Sequence, residues 1–337
     1  MINEAYLGEN LIYMNGETGA TFVVRIAPGI NSLTYQINGQ PITETVKPGE
    51  VFHGFYRGRI TKLDYFLDED NGYLVTYRNK AYTEVIEFPF VPACTSYKGM
   101  FIGSYLTEVN ALKDIVLSNV KDLSNMFQNC NDLKDISALK TWKVGNVDNI
   151  AGLFYRCYVL EDISALEDWD VSNIKDMSYM FNSCSILKDM SSISKWKVNA
   201  DVSGMFSNCA LTEADIRGWV MTTKVRNNES SGIFYGCRNL KSVNIDGTDI
   251  SNIIDYAFYN CNALTDIIGT PKPITKSHYY IYLNHCPLTK DSVMKIINAL
   301  PVISDSYTHR LQLNETTISA LGEDISIATA KGWTVSA

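Results

Sequence analysis

Several features that define whole classes of protein are missing from this sequence of 337 residues. No apolar run approaches the roughly 18 residues of a transmembrane helix, so no membrane insertion is predicted. Lysine and arginine number 29 against 37 aspartates and glutamates, for a net charge of −8. Nucleic-acid binding needs clustered basic residues, so nucleic acid is not predicted as a partner. The first ten residues lack a basic segment followed by an apolar one, which predicts no secretory signal peptide.

Motifs that mark catalytic, cofactor or metal sites are also missing. The chain has no glycine-rich phosphate loop, no HExxH or GxSxG frame and no CxxC pair. Its four histidines are His53, His278, His285 and His309, and none lies in such a frame. His285 and Cys286 form an isolated pair without the spacing of a zinc site. The sequence therefore predicts a protein that is not an enzyme and has no cofactor or metal.

Residues 1–95 read as a small all-β domain. Segments rich in Val, Ile, Thr, Tyr and Phe are separated by turn residues, at 20–26, 32–38, 51–56, 60–67, 73–78 and 82–88. The Asp-Glu-Asp-Asn-Gly stretch at 68–72 predicts a hairpin. We expect this domain to anchor the protein or to make it a homo-oligomer.

One short signature recurs from there on, a phenylalanine followed three residues later by a cysteine. Successive cysteines are 24 to 28 residues apart, and this period is typical of stacked repeats. The copies are Phe127 and Cys130, Phe154 and Cys157, Phe181 and Cys184, Phe206 and Cys209, Phe234 and Cys237, Phe258 and Cys261, and Leu283 and Cys286.

Other positions keep the same register. A Leu-x-x-Ile or similar segment begins three residues after each of five of the cysteines, and Trp142, Trp169 and Trp196 recur at 27-residue steps. We expect a short strand at Leu-x-x-Ile, a turn carrying tryptophan inward, and a helical or 3-10 segment at Phe-x-x-Cys. Independent helical hairpins fit poorly, because no segment keeps a 3.6-residue apolar stripe. The cysteines are predicted to be a ladder of buried thiols, with a few disulfide bridges as the alternative.

The stretch WDVSNIKDMSYMFNSCSILKDM at residues 169–190 resembles the BspA-type leucine-rich repeat of bacterial surface proteins. The resemblance covers residues 97–337 and is weakest at 210–232, where Trp219 lies 15 residues before Phe234. It implies a leucine-rich-repeat solenoid and a role in adhesion. Residues 5–13 and 327–335 are similar to segments of bacteriophage virion proteins and of such repeats in gut bacteria and phages.

The C-terminal segment reads as a helix with Thr289 as its N-cap, a strand near 310–313, a second helix over 316–331 and a last strand at 333–335. The predicted fold class is α+β with a solenoid: a small N-terminal all-β domain, a leucine-rich-repeat solenoid and a helical C-terminal cap. The predicted domains are residues 1–95, 96–287 and 288–337.

Two sets of residues are candidates for a contact surface. Asp135, Asp162 and Asp189 recur one per repeat, and they either form an acidic row that binds a ligand or accept hydrogen bonds within their own turns. Like charges one repeat apart repel, which favours the second alternative. Tyr279, Tyr280 and Tyr282 form the strongest candidate patch, because tyrosine is favoured at interfaces.

The predicted function is surface-exposed binding or adhesion without catalysis. The missing signal peptide favours a bacteriophage virion component, a head or tail fibre or decoration, whose repeats contact the bacterial surface or another extracellular partner. A bacterial cell-surface adhesin is the alternative, and an intracellular scaffold or a carbohydrate-active enzyme is disfavoured. The expected partner is a protein or a surface glycan.

Overall fold

The computed structural model describes residues 95–222, 231–275 and 279–337, and of the first 94 residues eight strands with Lys47 and Glu50. The chain divides into two compact units, Met1–Asn173 and Ile174–Ala337. The predicted boundaries after residues 95 and 287 do not coincide with this division and stay predictions. Among the described residues, no helix has both the length and the apolar character that a bilayer span needs.

The strands of the first 94 residues pair into two antiparallel sheets. One has the order β1-β2-β3-β6, with β8 also paired to β3, and the other has the order β5-β4-β7. The bounds are β1 Glu4–Leu7, β2 Asn10–Met14, β3 Glu17–Ile26, β4 Ser32–Ile37, β5 Gln40–Thr45, β6 Val51–Arg57, β7 Leu63–Leu67 and β8 Tyr82–Glu87.

Strands lie at five of the six predicted positions in this part of the chain. The sixth, at residues 73–78, and the predicted hairpin at 68–72 lie outside the described residues. Strands β1, β2 and β5 were not predicted, and β5 contains Pro41, which lacks the N–H of a strand interior. Among the described strands β5 pairs only with β4, and such an edge tolerates proline.

Each Phe-x-x-Cys segment is a tight turn, and the helical or 3-10 segment predicted here is wrong. The Cys130 N–H donates to the Phe127 carbonyl across 3.1 Å, but no helix forms around it. Residues two before and two after the phenylalanine are left-handed, with φ of 59° at Asn125 and 60° at Asn129. A left-handed residue cannot continue a right-handed helix, so the chain turns instead. The same pair of positions is left-handed at Gly152 and Arg156, Tyr179 and Ser183, and Gly204 and Asn208.

Backbone hydrogen bonds link successive repeats at these turns. In each case the phenylalanine N–H donates to the carbonyl of the residue that precedes the next repeat's phenylalanine. In the first unit these bonds run from Phe101 to Met126 (2.8 Å) and from Phe127 to Leu153 (3.0 Å). In the second unit they run from Phe181 to Met205 (2.9 Å), Phe206 to Ile233 (2.9 Å) and Phe234 to Ala257 (3.0 Å). In these bonds the phenylalanine N–H of the earlier repeat is the donor.

The aromatic side chains of successive repeats stack in the core. Phe127 lies between Phe101 and Phe154, with ring centroids 5.6 Å apart on both sides. In the second unit Phe181, Phe206, Phe234 and Phe258 stack in order at 5.5, 5.9 and 6.1 Å. All these rings are buried. Burying one such side chain stabilises the fold by about 1.5–3 kcal/mol, so the stack is a main source of stability.

Tryptophan forms a second stack in the first unit. The rings of Trp142 and Trp169 lie 6.1 Å apart and nearly parallel. Trp142 Nε1 donates to the Leu112 carbonyl across 2.8 Å, and Trp169 Nε1 donates to the Leu139 carbonyl across 3.0 Å. Each indole therefore packs inward and satisfies its only donor on the preceding repeat.

The Leu-x-x-Ile segments form little sheet. In the first unit they contribute only isolated bridges, such as that between Glu108 and Asp135, followed by the 3-10 helices Asn110–Leu112, Ser137–Thr141 and Ser164–Leu166. The second unit has a 3-10 helix at Ser191–Ile193 and short strands. These are β9 Asn199–Ala200, β10 Glu213–Asp215, β11 Val220–Met221, β12 Ser242–Asn244 and β13 Asp266–Ile268. They pair in parallel as β11-β9 and β10-β12-β13.

The C-terminal segment ends in a parallel sheet. Strands β14 (Tyr280–Leu283), β15 (His309–Leu313) and β16 (Trp333–Ser336) pair in the order β14-β15-β16. The helices α1 (Lys290–Ala299), α2 (Glu315–Leu321) and α3 (Ile325–Ala330) connect them. Thr289 is the N-cap of α1, and its hydroxyl accepts the Ser292 N–H. The helix predicted across 316–331 is divided by a 3-10 helix at Gly322–Asp324, whose first residue has φ of +56°.

The predicted fold class is therefore wrong. The described residues contain small, separate parallel sheets of two or three strands, and no continuous solenoid sheet with a helical cap. At Leu133-x-x-Ile136 one physical reason is the aspartate in the third position. Asp135 accepts the Ser137 N–H two residues later, which ends the extended chain and starts a 3-10 helix.

Candidate functional site

The three predicted acidic residues are exposed, and each closes a turn. Asp135, Asp162 and Asp189 accept hydrogen bonds at 2.8 Å from the backbone N–H of the serine two residues later. Hydrogen bonds from the N–H and the hydroxyl of Ser137 hold the pKa of Asp135 below its usual value. Asp189 also accepts the Ser191 hydroxyl on its second oxygen, so these carboxylates are engaged within their own turns, as the second alternative describes.

Asp135 and Asp162 border one shallow groove in the first unit, with a volume of about 200 Å³. Its charged residues are of both signs, because lysines from the same turns lie beside the carboxylates. Within the described ranges, no cluster of three or more His, Cys, Asp or Glu is arranged to hold a metal ion. The groove is lined by Lys134, Asp135, Ile136, Ser137, Lys140, Asp162, Ser164, Ala165 and Glu167.

The predicted tyrosine patch separates into two parts. Tyr280 and Tyr282 lie on the same face of β14, with ring centroids 5.6 Å apart. Tyr279 instead contacts the rings of Tyr307 and His309, each 5.5 Å away. Tyr279 and Tyr280 are exposed, at 50% and 41% of their surface, so both parts are accessible in the unit.

Further rings extend the part that contains Tyr282, and they were not predicted as part of this patch. Tyr256 stacks on Tyr282 at 4.8 Å, and Tyr259 meets Tyr282 edge-on at 5.8 Å. Tyr259 also contacts His285 at 4.7 Å and stacks on Tyr235 at 5.9 Å. Tyr235 and Tyr259 each follow the repeat phenylalanine, and that shared position is the sequence signal for their stacking. We call Tyr235, Tyr256, Tyr259, Tyr280, Tyr282 and His285 the tyrosine cluster.

The structure describes only the strand backbone of His53, and His278 lies outside the described residues. His309 is fully buried, and its Nε2 lies 2.8 Å from Asp305 Oδ1. The ring of Trp333 lies 5.5 Å from it. These contacts fix His309 beneath the sheet that β15 helps to form.

The seven cysteines of the repeat signature are buried free thiols. Burial raises the pKa of Cys130, Cys237 and Cys286 to about 12, and it also raises the pKa of Cys209 and Cys261 well above the usual value. The thiolate is the reactive form, so these residues are poor nucleophiles at neutral pH. The remaining cysteine, Cys94, lies outside the described residues.

Six of these thiols donate their hydrogen to a backbone carbonyl of the preceding repeat. In the first unit Cys130 donates to the Phe101 carbonyl (3.0 Å) and Cys157 to the Phe127 carbonyl (3.2 Å). In the second unit the bonds are Cys209 to Phe181 (3.1 Å), Cys237 to Phe206 (3.0 Å), Cys261 to Phe234 (3.1 Å) and Cys286 to Phe258 (3.1 Å). These bonds join a cysteine to the phenylalanine of the repeat before it. The cysteines therefore have a packing role.

Comparison with curated proteins gives no match. Two overlapping stretches of the chain, residues 95–219 and 158–270, match a family described as "Mycoplasma protein of unknown function, DUF285". Together they span residues 95–270, just over half of the chain, and they include six of the seven repeat cysteines. The resemblance to BspA-type repeats stays a prediction. On the extent of this match, the chain belongs to the DUF285 family.

Proposed function

We propose that this protein is a non-enzymatic binding protein that presents side chains of its repeats to a partner outside the cell. The observation that carries the proposal is the tyrosine cluster. Its members come from several repeats of the second unit, contact one another, and are each half-buried or exposed. Tyrosine offers a large contact area at low cost in side-chain entropy, which suits recognition.

The backbone beneath the cluster supports this role. Phe234 N–H donates to the Ala257 carbonyl at 3.0 Å, and Gly236 N–H donates to the Tyr259 carbonyl at 2.9 Å. These bonds hold the repeats that carry Tyr235, Tyr256 and Tyr259 in a fixed register. A surface held in place before binding loses little conformational entropy when a partner arrives. The high pKa of the repeat thiols also favours binding over nucleophilic catalysis.

The proposed setting is a bacteriophage virion, where the protein would be a fibre or decoration that contacts the bacterial surface. The alternative is an adhesin on the bacterial cell itself, which the resemblance to surface-protein repeats implies. Mass spectrometry of purified virions and of cell-surface fractions separates the two settings. Detection in cell-surface fractions and never in virions would replace the virion proposal with the adhesin.

Binding itself can be tested with the purified full-length protein. Cosedimentation with bacterial envelope preparations measures it, and the variant Tyr280→Ala/Tyr282→Ala tests the cluster. We expect saturable cosedimentation that the variant weakens at least about tenfold. Tyrosines that a bound partner covers are frequent binding hot spots. The matched control is Tyr158→Ala, since Tyr158 is 40% exposed and lies in the other unit. No cosedimentation of the wild-type protein with any envelope would refute the proposed function.

A further inference from the structure

The outward face of the sheet β14-β15-β16 has an unusual composition. Strand alternation sends Ile281, Leu311 and other apolar side chains inward and leaves two rows of polar or aromatic side chains outside. The pairing register places Tyr280, Arg310 and Thr334 in one row, and Tyr282, Gln312 and Ser336 in the other. We call these six residues the sheet face.

Rings and polar groups lie side by side on the sheet face. The ring planes of Tyr280 and Tyr282 are 12° apart, and Tyr256 continues the stack next to Tyr282. The Arg310 guanidinium carbon lies 5.9 Å from the centroid of the Tyr280 ring. The rings thus form one end of the face, and the guanidinium, an amide and two small hydroxyls form the rest.

This chemistry favours a neutral, hydroxyl-rich ligand. None of the six residues is aliphatic, whereas the core of a protein interface is apolar and loses its water. Only Arg310 is charged, whereas an anionic polymer is held by several cations. Four hydroxyls, one amide and one guanidinium can each exchange hydrogen bonds with sugar hydroxyls. Tyr282 is stacked between Tyr256 and Tyr280, so it offers a sugar its ring edge and hydroxyl, while Tyr280 is 41% exposed.

We propose that the sheet face, with the adjoining Tyr256, binds a neutral glycan. The inference rests on the proposed binding function and names the class of partner. It also assigns Arg310 and Gln312 to the site, and the sequence analysis assigned neither.

Native affinity electrophoresis of the full-length protein tests this proposal. The gels contain dextran, galactomannan or arabinogalactan as neutral polysaccharides, or alginate as an anionic one. We expect at least one neutral polysaccharide to retard the wild-type protein, with little dependence on salt, since neutral contacts are weakly screened. Tyr280→Ala/Tyr282→Ala should weaken this retardation at least about tenfold because two hot-spot rings are lost, and Gln312→Ala should weaken it less. Tyr158→Ala should leave it unchanged.

The inference fails if no neutral polysaccharide retards the protein, if alginate alone does so in a salt-sensitive way, or if Tyr158→Ala has the same effect as the double variant. A matching urea-unfolding midpoint for each variant shows that a loss of binding is not a loss of fold. Envelopes treated with periodate or with protease separate this inference from the proposed function. Binding that survives periodate and is lost with protease leaves the binding function standing and refutes the glycan. A loss after periodate alone supports the glycan.

Discussion

The thiol of Cys237 donates a hydrogen bond to the carbonyl oxygen of Phe206, one repeat earlier in the chain, across 3.0 Å. The same carbonyl accepts the backbone N–H of Cys209 at 3.1 Å. Removing the thiol therefore leaves no orphaned acceptor, and its loss is mainly a loss of packing. The cysteine is a buried side chain that fits a small space and still satisfies its one donor.

For this reason we expect Cys237→Ala to lower the free energy of unfolding by about 1 kcal/mol, from lost packing. Cys237→Ser should cost more, about 2 kcal/mol, because burying a hydroxyl costs more than burying a thiol. Urea unfolding of both variants measures the difference. A serine variant as stable as the wild-type protein would contradict this order.

Alkaline pH should destabilise the protein through its buried thiols. The folded-state pKa of Cys237 is raised by burial from 9.0 to about 12, so above pH 9 the unfolded chain releases its proton first. The stability that this thiol contributes is complete below pH 9 and is lost as the pH rises towards 12. Each such thiol should add a slope of about −1.4 kcal/mol per pH unit in that range.

Urea titrations at several pH values between 8 and 11 measure how the free energy of unfolding falls with pH. Cys237→Ala should make this slope shallower by the contribution of one thiol. Lysine and tyrosine ionisation is common to both proteins and cancels in the comparison. Equal slopes for the two proteins would show that the thiol ionises as readily when folded as when unfolded.

The turn carboxylate of Asp135 gives a third prediction. Asp135→Ala removes the acceptor for the Ser137 N–H and should destabilise the first unit by about 1 kcal/mol. Asp135→Asn keeps an acceptor oxygen and should cost less. The depressed pKa of Asp135 means that its contribution is present above the unfolded-state pKa and disappears as the pH falls through the folded-state value.

Thermal unfolding at pH 7 and pH 3 tests both parts of this prediction. The gap between wild type and Asp135→Asn should be larger at pH 7 than at pH 3. A gap that widens in acid would indicate that the carboxyl is stabilised in its protonated form instead.

Close approach of two repeats gives a fourth prediction. A Cβ at Gly232 would lie 1.9 Å from the Tyr256 carbonyl oxygen of the next repeat, so Gly232→Ala must push the repeats apart. We expect a loss of more than about 3 kcal/mol, as for other severe clashes in a core. Calorimetric or urea unfolding measures it.

Gly247 provides the matched control. It has φ of +65°, and nothing lies within 4 Å of an added Cβ. Gly247→Ala should therefore cost only the strain of a left-handed alanine, about 1 kcal/mol. If both variants lose the same free energy of unfolding, the close approach of two repeats at Gly232 does not contribute to the cost of the substitution.

The buried positions of the repeats could be predicted well from the sequence, because Phe, Cys and Trp recur in one register and each is apolar. Helix α1 could also be predicted, since Thr289 and the apolar stripe after it mark a capped amphipathic helix. Phe-x-x-Cys was misjudged because a three-residue spacing suits a 3-10 helix as well as a turn. Most left-handed residues beside it are Asn or Gly, which favour such φ values, whereas Arg156 and Tyr179 are of types that rarely adopt them.

The site was harder to predict because it depends on long-range pairing. Tyr280 and Tyr282 are visible as a local cluster, but Arg310 and Gln312 join them only because β15 pairs with β14 in that register. No local pattern specifies such a register between strands about 30 residues apart. The small sheets escaped prediction for the same reason, since their pairing depends on where each turn ends the strand.

The phenylalanine N–H of each repeat donates to the next repeat, and this regular pattern sets how the length of such a chain can change. A repeat receives an N–H donor from its predecessor and offers one to its successor: the Met205 carbonyl accepts from Phe181, and the Phe206 N–H donates to Ile233. Removing or adding one whole repeat leaves every donor facing an acceptor. Removing part of a repeat breaks the pattern on both sides. Relatives of this chain should therefore differ in length by whole repeats. The surface residues of each repeat can change freely, because they take no part in these hydrogen bonds.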